Sequence, residues 1–232
     1  MSNAANMSNA AKHCEDLVRE ADKDRFLATL FAPAQTRADL FALYAFDIET
    51  AAVAHRVRDP MAGEIRFQWW HDVLSGKSDA SGHPVATAFL AAVSRHQVPI
   101  VLAIALIDAR RDALYAEDGE AAFELQASET HGSIYEIAAR MLTHQRSEAI
   151  RLASHHAGVA TAAAYSDRQD RADIARRHIE AVRALIVTLP QQALPAFLPL
   201  ALAARVVDQP QLPQWRKQWI LWRASRNLAG GL

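Results

Sequence analysis

RADLFALYAFDIETAAVAHRVRDPMAGEIRFQWWHDVL, residues 37–74, decides how the chain folds. In its first half Leu40, Leu43, Tyr44, Ile48, Ala51 and Ala52 recur at steps of three and four. That spacing predicts a helix with one apolar stripe. Asp59, Pro60 and Gly63 then interrupt the pattern, because proline disfavours helix just before itself and glycine suits a turn. A second helix is expected from Glu64, with Ile65, Trp69 and Val73 on one side. Neighbouring helical residues point about 100° apart, so Trp69 and Trp70 must serve two different surfaces.

Outward from this pair the pattern stays helical. Residues 13–32 carry Leu17, Ala21 and an apolar run to Phe31, with Glu15 and Asp16 near the start where the helix dipole favours acids; Pro33 ends the run. The Ser-, Gly- and Asp-rich 75–84 reads as a loop. Helices are expected over 84–96 and 99–117, each opening at or beside a proline, then over 121–142, 146–165 and 172–189. Within 172–189, Ile174, His178, Val182, Leu185 and Leu189 form the inner side. Gly132 weakens its helix unless close packing or a ligand needs the space, and both readings stay open. Prolines segment the stretch that follows, and the tail spaces Trp215, Trp219 and Trp222 by four and three beside Arg216, Lys217 and Arg223. No strand alternation appears. The expected fold is a single all-α domain.

Composition narrows the function classes. The chain has 232 residues, 51% hydrophobic and 22% charged, enough to bury a substantial core. A formal net charge of −1 supplies no basic field for nucleic acid. The single cysteine, Cys14, excludes an internal disulfide framework and a cysteine-built metal site. No run of eighteen apolar residues is present, so no spanning helix is predicted, and no secretory signal is visible. The start reads MSNAAN and then MSNAAK, a near-duplication. Residues 1–12 are read as an expression remnant and disordered start, with the domain over 13–232.

The order and distance of LYAF, a polar helix, the turn and then GEIRFQWW resemble the squalene/phytoene synthase family of head-to-head prenyl transferases. The resemblance implies an isoprenoid-synthase-like bundle around a central cavity. In active members an aspartate-rich motif lies between these elements; the corresponding positions here are Ala51, Ala52 and His55. The second aspartate motif corresponds to HAGVATAAAYSDRQD, where Gly158 and Ala160 fit but Ala162, Tyr165 and Gln169 replace the expected Gln, Asn and Asp. Past that tract, a loop-and-helix segment of the family pattern is missing. A Ser-Phe-Tyr-like cluster beside the diphosphate pocket corresponds to Asp24, Arg25 and Phe26. Carboxylates facing one another in pairs hold magnesium, which bridges to phosphate and neutralises the departing diphosphate; alanine has no ligand atom.

The resemblance is closest to a subgroup that lacks the aspartate motifs and whose mitochondrial members act as assembly factors for respiratory complex I. It implies a non-catalytic bundle that binds a prenyl or lipid-like ligand, a partner protein, or both. The expected setting is cytoplasmic, peripheral at the inner membrane, with no cofactor and no metal site. The alternative is an active transferase condensing farnesyl or geranylgeranyl diphosphate with magnesium and displaced ligands. For that role Asp108 and Asp112, at i and i+4, are the best surviving pair, although with Arg110 and Arg111 they also read as a solvated face.

The ligand-cavity candidates are Phe26, Tyr44, Asp47, Ala51, Ala52, His55, Gln68, Trp69, Gly132, Ser133 and Gly158. Arg37, Arg56 and Arg66 are the anion-binding candidates. Trp215, Trp219, Trp222 and Arg223 form the expected membrane or partner face, since tryptophan favours the membrane interface and arginine favours anionic lipid. His155 and His156 belong to no recognisable zinc spacing, and adjacent histidines on a helix diverge.

Overall fold

The computed structural model describes residues 2–56, 59–115 and 119–228, without the side chains of residues 2–5, 55, 56 and 60. Among these residues there are twelve α-helices and no strand. They are α1 (Ser2–Ala21), α2 (Lys23–Thr29), α3 (Arg37–Arg56), α4 (Pro60–Leu74), α5 (Pro84–Arg95), α6 (Val101–Asp112), α7 (Glu120–Ala127), α8 (Ser133–Thr143), α9 (Glu148–Tyr165), α10 (Arg171–Ile186), α11 (Leu194–Val206) and α12 (Gln214–Arg226).

Helix α3 is the axis of the bundle. Every residue from Asp39 to Asp47 is buried, so the single apolar stripe expected from its spacing is instead a helix surrounded on all sides. It packs between α1, α5 and α8. Phe46 stacks on Phe89 of α5 at 4.2 Å between ring centroids and meets the edge of Trp70 of α4 at 5.1 Å. The two tryptophans do diverge. Trp70 is buried, whereas Trp69 is half-buried and lies 4.8 Å from the His83 ring. The face of α4 that enters the core carries Phe67, Trp70, Val73 and Leu74. Ile65, expected inside, is exposed, because the turn at Asp59 sets the phase of the helix and the side chain of Asp59 caps it on the Met61 N–H.

Three stretches differ from the sequence expectation. Helix α1 begins at Ser2, within the stretch read as a disordered start, and Ala10, Cys14 and Val18 bury one face of it against α3 and α5. The 13–32 run is broken at Asp22, whose side chain accepts from the Arg25 N–H and restarts the chain as α2. The 121–142 helix is also divided. A π-helical turn over Ser128–Gly132 joins α7 to α8, placing His131 and Gly132 where a regular helix would not.

Candidate functional site: the central cavity

A cavity of about 840 Å³ opens between α1, α2, α3, α7, α8, α9, α11 and α12, within the roughly 300–1,000 Å³ usual for small-molecule sites. Its wall combines apolar and aromatic side chains, among them Tyr44, Phe123, Ile134, Tyr135, Ala162 and Pro199. The Tyr135 hydroxyl is 2.8 Å from the Thr161 hydroxyl, and burial pushes its pKa up to about 12. Burial raises Tyr44 and Tyr165 as well, so all three phenols are neutral at physiological pH.

Asp47 stands at the polar end. Its carboxylate accepts from the guanidinium of Arg25 on α2 and from that of Arg110 on α6. Arg110 also donates to the Asp47 carbonyl at 3.2 Å and to the Thr50 hydroxyl. Burial alone would raise the Asp47 pKa, but Arg25 and Arg110 outweigh it and hold the carboxyl well below the ordinary range. Arg25 also donates to Asp22 at 2.6 Å and lies over the Tyr44 ring at 5.0 Å. Beside it His131 is neutral, its pKa lowered to about 4 by burial and by the two arginines against the pull of Asp47. At the mouth Lys217 of α12 donates to both carboxylate oxygens of Asp24, at 2.9 and 2.8 Å, and the Tyr165 hydroxyl donates to Asp24 at 3.3 Å.

These pairings decide how magnesium would fit. Asp22, Asp24 and Asp47 line the cavity, and each already accepts from a basic side chain of the protein. Magnesium is usually held by one or two carboxylates together with water and substrate phosphates. Among the described residues no group of three carboxylates converges, and the cavity carboxylates are paired with basic side chains of the protein.

Of the candidates named from sequence, Tyr44 and Asp47 line the cavity. Ala51 is exposed and Ala52 half-buried, beyond the cavity end of α3. Gln68 is exposed and donates to Asp72 at 2.9 Å. Phe26 stacks on Phe41 while its neighbours Asp24 and Arg25 face the cavity. Gly132 and Gly158 mark a close crossing. A Cβ on Gly158 would lie 2.2 Å from the Gly132 backbone nitrogen, so the small residues serve packing between α9 and the π turn. Ser133 donates back to the Glu129 carbonyl at 2.6 Å. Arg37 donates to the Ala32 carbonyl at 2.9 Å, and Arg66 is an exposed surface residue. The side chains of His55 and Arg56 lie outside the described residues. Asp108 accepts from Arg111 at 3.0 Å, Asp112 is exposed, and neither lines the cavity.

Two sequence readings are corrected. Arg110 is no part of a solvated face; it is buried, because the wall of α6 that carries it turns inward to Asp47. His155 and His156 do form a group, with His178 of α10 completing it, and one nitrogen from each of the three rings lies within 4.8 Å of the other two. No spacing rule signals that, since His178 comes 22 residues after His156 and only the packing of α9 on α10 brings it there. Sequence reasoning also passed over His131, Tyr135 and Thr161, and set Lys217 beside the tail tryptophans instead of at the cavity. Their common signal is an uncharged or singly basic polar residue at a position that helical spacing turns inward.

The squalene/phytoene synthase family model matches residues 18–164. The chain belongs to the squalene/phytoene synthase family. Among curated relatives it is similar to NADH dehydrogenase (ubiquinone) complex I, assembly factor 6, of Bos taurus: 33% identical over 105 residues, 44% of this chain and 32% of that protein. The human protein of the same name is 33% identical over 100 residues, 42% of this chain and 30% of its own. The match thus spans about a third of the length of these relatives. The fold is that of a dehydrosqualene synthase crystallised with a ligand, at TM-score 0.75 and 13% identity over 97% of this chain and 98% of that one. Squalene synthase HpnC from Alicyclobacillus acidocaldarius superposes at TM-score 0.68 and 14% identity, covering 93% and 96% of the two chains. The bundle is therefore the isoprenoid-synthase fold of the squalene/phytoene synthases. No described helix is long and apolar enough to cross a membrane.

Proposed function

We propose that this squalene/phytoene synthase-family protein is a non-catalytic binding bundle that holds a prenyl or similar lipid chain in its cavity. We further propose that it meets a membrane surface and a partner protein through α12, in the assembly of a respiratory complex. The observation that carries the reading is Asp47, a cavity carboxylate occupied by Arg25 and Arg110 instead of being left for a metal. Ala51 and Ala52 at the aspartate-motif positions point the same way. An apolar cavity with neutral phenols suits a chain of methylenes and double bonds better than a diphosphate awaiting ionisation.

Helix α12 supports the second half. Ile220, Leu221 and Ala224 pack inward, while Trp215, Trp219 and Trp222 are 69%, 51% and 50% exposed. Arg223 and Arg226 lie over the Trp219 and Trp222 rings. Beside them Arg205, Arg216 and Arg223 line a cleft of about 320 Å³, a setting for an anionic head group. The names of the bovine and human relatives supply the assembly setting.

The test is isothermal titration with a non-hydrolysable farnesyl diphosphate analogue and with the corresponding prenyl alcohol, each with and without magnesium. The proposal expects both to bind with no effect of magnesium. Tight binding of the diphosphate that requires magnesium, together with product formation from farnesyl diphosphate, would replace it with the transferase reading.

A further inference from the structure

Away from the cavity, at the junction of α7, α9 and α10, three histidines meet. The His156 and His178 Nδ1 atoms are 2.9 Å apart, and one ring nitrogen each from His155, His156 and His178 lie within 4.8 Å of one another. His178 is buried and the other two are half-buried. On the far side of the His178 ring, Nε2 is 3.5 Å from the Glu124 carboxylate. That carboxylate also accepts from Arg177.

The geometry sets the tautomers. A carboxylate facing Nε2 favours the proton there, which leaves the His178 Nδ1 lone pair turned toward His156. The short contact between the two Nδ1 atoms then has His156 donate and His178 accept, so His178 is neutral as it stands, and a bound ion would take the place of the shared proton. Donors sharing one tetrahedral zinc are about 3.4 Å apart, given zinc–nitrogen bonds of about 2.0–2.1 Å. The observed distances, 2.9 Å between His156 and His178 and at most 4.8 Å among the three, bracket that value.

We propose that His155, His156 and His178 form a binding site for a borderline divalent transition-metal ion, zinc foremost, with Glu124 orienting His178. Neutral imidazoles suit zinc, copper and nickel and are poor ligands for magnesium, so this site is chemically separate from any prenyl diphosphate site. Three nitrogen ligands leave a fourth position for water. The ion would tie α9 to α10, and its binding free energy would add to the stability of that helix pair.

The test uses the full chain purified without a histidine tag. Zinc is titrated calorimetrically against a weak competing chelator, and cobalt(II) serves as a spectroscopic probe of tetrahedral nitrogen coordination. The expected result is a single ion per chain, with a zinc-dependent rise in melting temperature. His156→Ala, at a half-buried position, should abolish both while keeping the native circular dichroism spectrum. Glu124→Gln should weaken binding by roughly 10–100-fold, as for other orienting partners. His144→Ala, at an exposed histidine on the connection after α8, should leave binding unchanged. Absence of saturable binding, or binding that survives in a folded His156→Ala variant, would overturn the proposal.

Discussion

Arg110 of α6 and Asp47 of α3 form a buried ion pair at the polar end of the cavity, and Arg25 completes it from the other side. The carboxylate therefore faces two fixed guanidinium groups. The Thr50 hydroxyl accepts from Arg110 and donates to the Phe46 carbonyl at 2.7 Å, so the arginine is held by both side chain and backbone. The arrangement ties α2, α3 and α6 together where the bundle surrounds a void.

Breaking that pair should be costly. Asp47→Asn leaves Arg110 buried beside an uncharged amide, and a loss of roughly 3–5 kcal/mol in urea unfolding is expected. Arg25→Met should cost less, because Asp47 keeps Arg110 and Arg25 is partly solvated. Equal stability of Asp47→Asn and wild type would mean that the network carries no structural weight.

The helix crossing at the two glycines should discriminate between them. In Gly158→Ala the added methyl meets backbone at 2.2 Å and 2.5 Å, which no rotamer change relieves. In Gly132→Ala the nearest atom, the Ser154 carbonyl oxygen, lies at 3.2 Å. Thermal unfolding should show the first variant destabilised by about 3 kcal/mol or more and the second by clearly less. The reverse order would refute the packing account.

Acid should unfold the protein in part through His131. Burial lowers its folded pKa from the ordinary 6.5 to about 4, with Arg110 and Arg25 adding to the effect and Asp47 opposing it. The unfolded chain then binds more protons between those values. The contribution is thus complete above about pH 6.5 and lost as pH falls toward 4, about 2 kcal/mol by pH 5. The Asp47 carboxyl, shifted down, loses its contribution only below the ordinary carboxylate range. Melting temperature measured from pH 7 to 5 should fall, and His131→Asn should flatten the slope.

The α12 face should act without contributing to the fold. Co-sedimentation with phosphatidylglycerol vesicles is expected to exceed that with phosphatidylcholine and to weaken with salt. Replacing Trp215, Trp219 and Trp222 by serine should remove the binding while changing stability by no more than about 0.5 kcal/mol per exposed site. Unchanged sedimentation would remove the membrane from the proposed function.

Filling the cavity offers an independent check. Ala162 lines it from α9, next to Thr161. Ala162→Phe should lower affinity for a prenyl alcohol at least tenfold, about 1.4 kcal/mol, without altering vesicle binding. Joint loss of both would point to misfolding instead.

Much of this protein was legible in the chain. Apolar positions at steps of three and four located most of the helices, since amphipathic burial depends only on local spacing. The LYAF and GEIRFQWW elements carried the family. That Ala51 and Ala52 carry no metal-ligating atom was legible too, because a side chain's chemistry is visible without coordinates. The breaks at Asp22 and at the π turn were not legible, being set by one cap and by one glycine crossing against α9.

What only the tertiary structure decided is which charges meet. Arg25, Asp47 and Arg110 are separated by 22 and 63 residues, and His156 and His178 by 22. Sequence spacing orders side chains along one helix, whereas pairing across helices depends on how whole elements rotate and pack. Arg110 therefore read as surface and proved to be core, and two histidines that diverge on α9 met a third on α10.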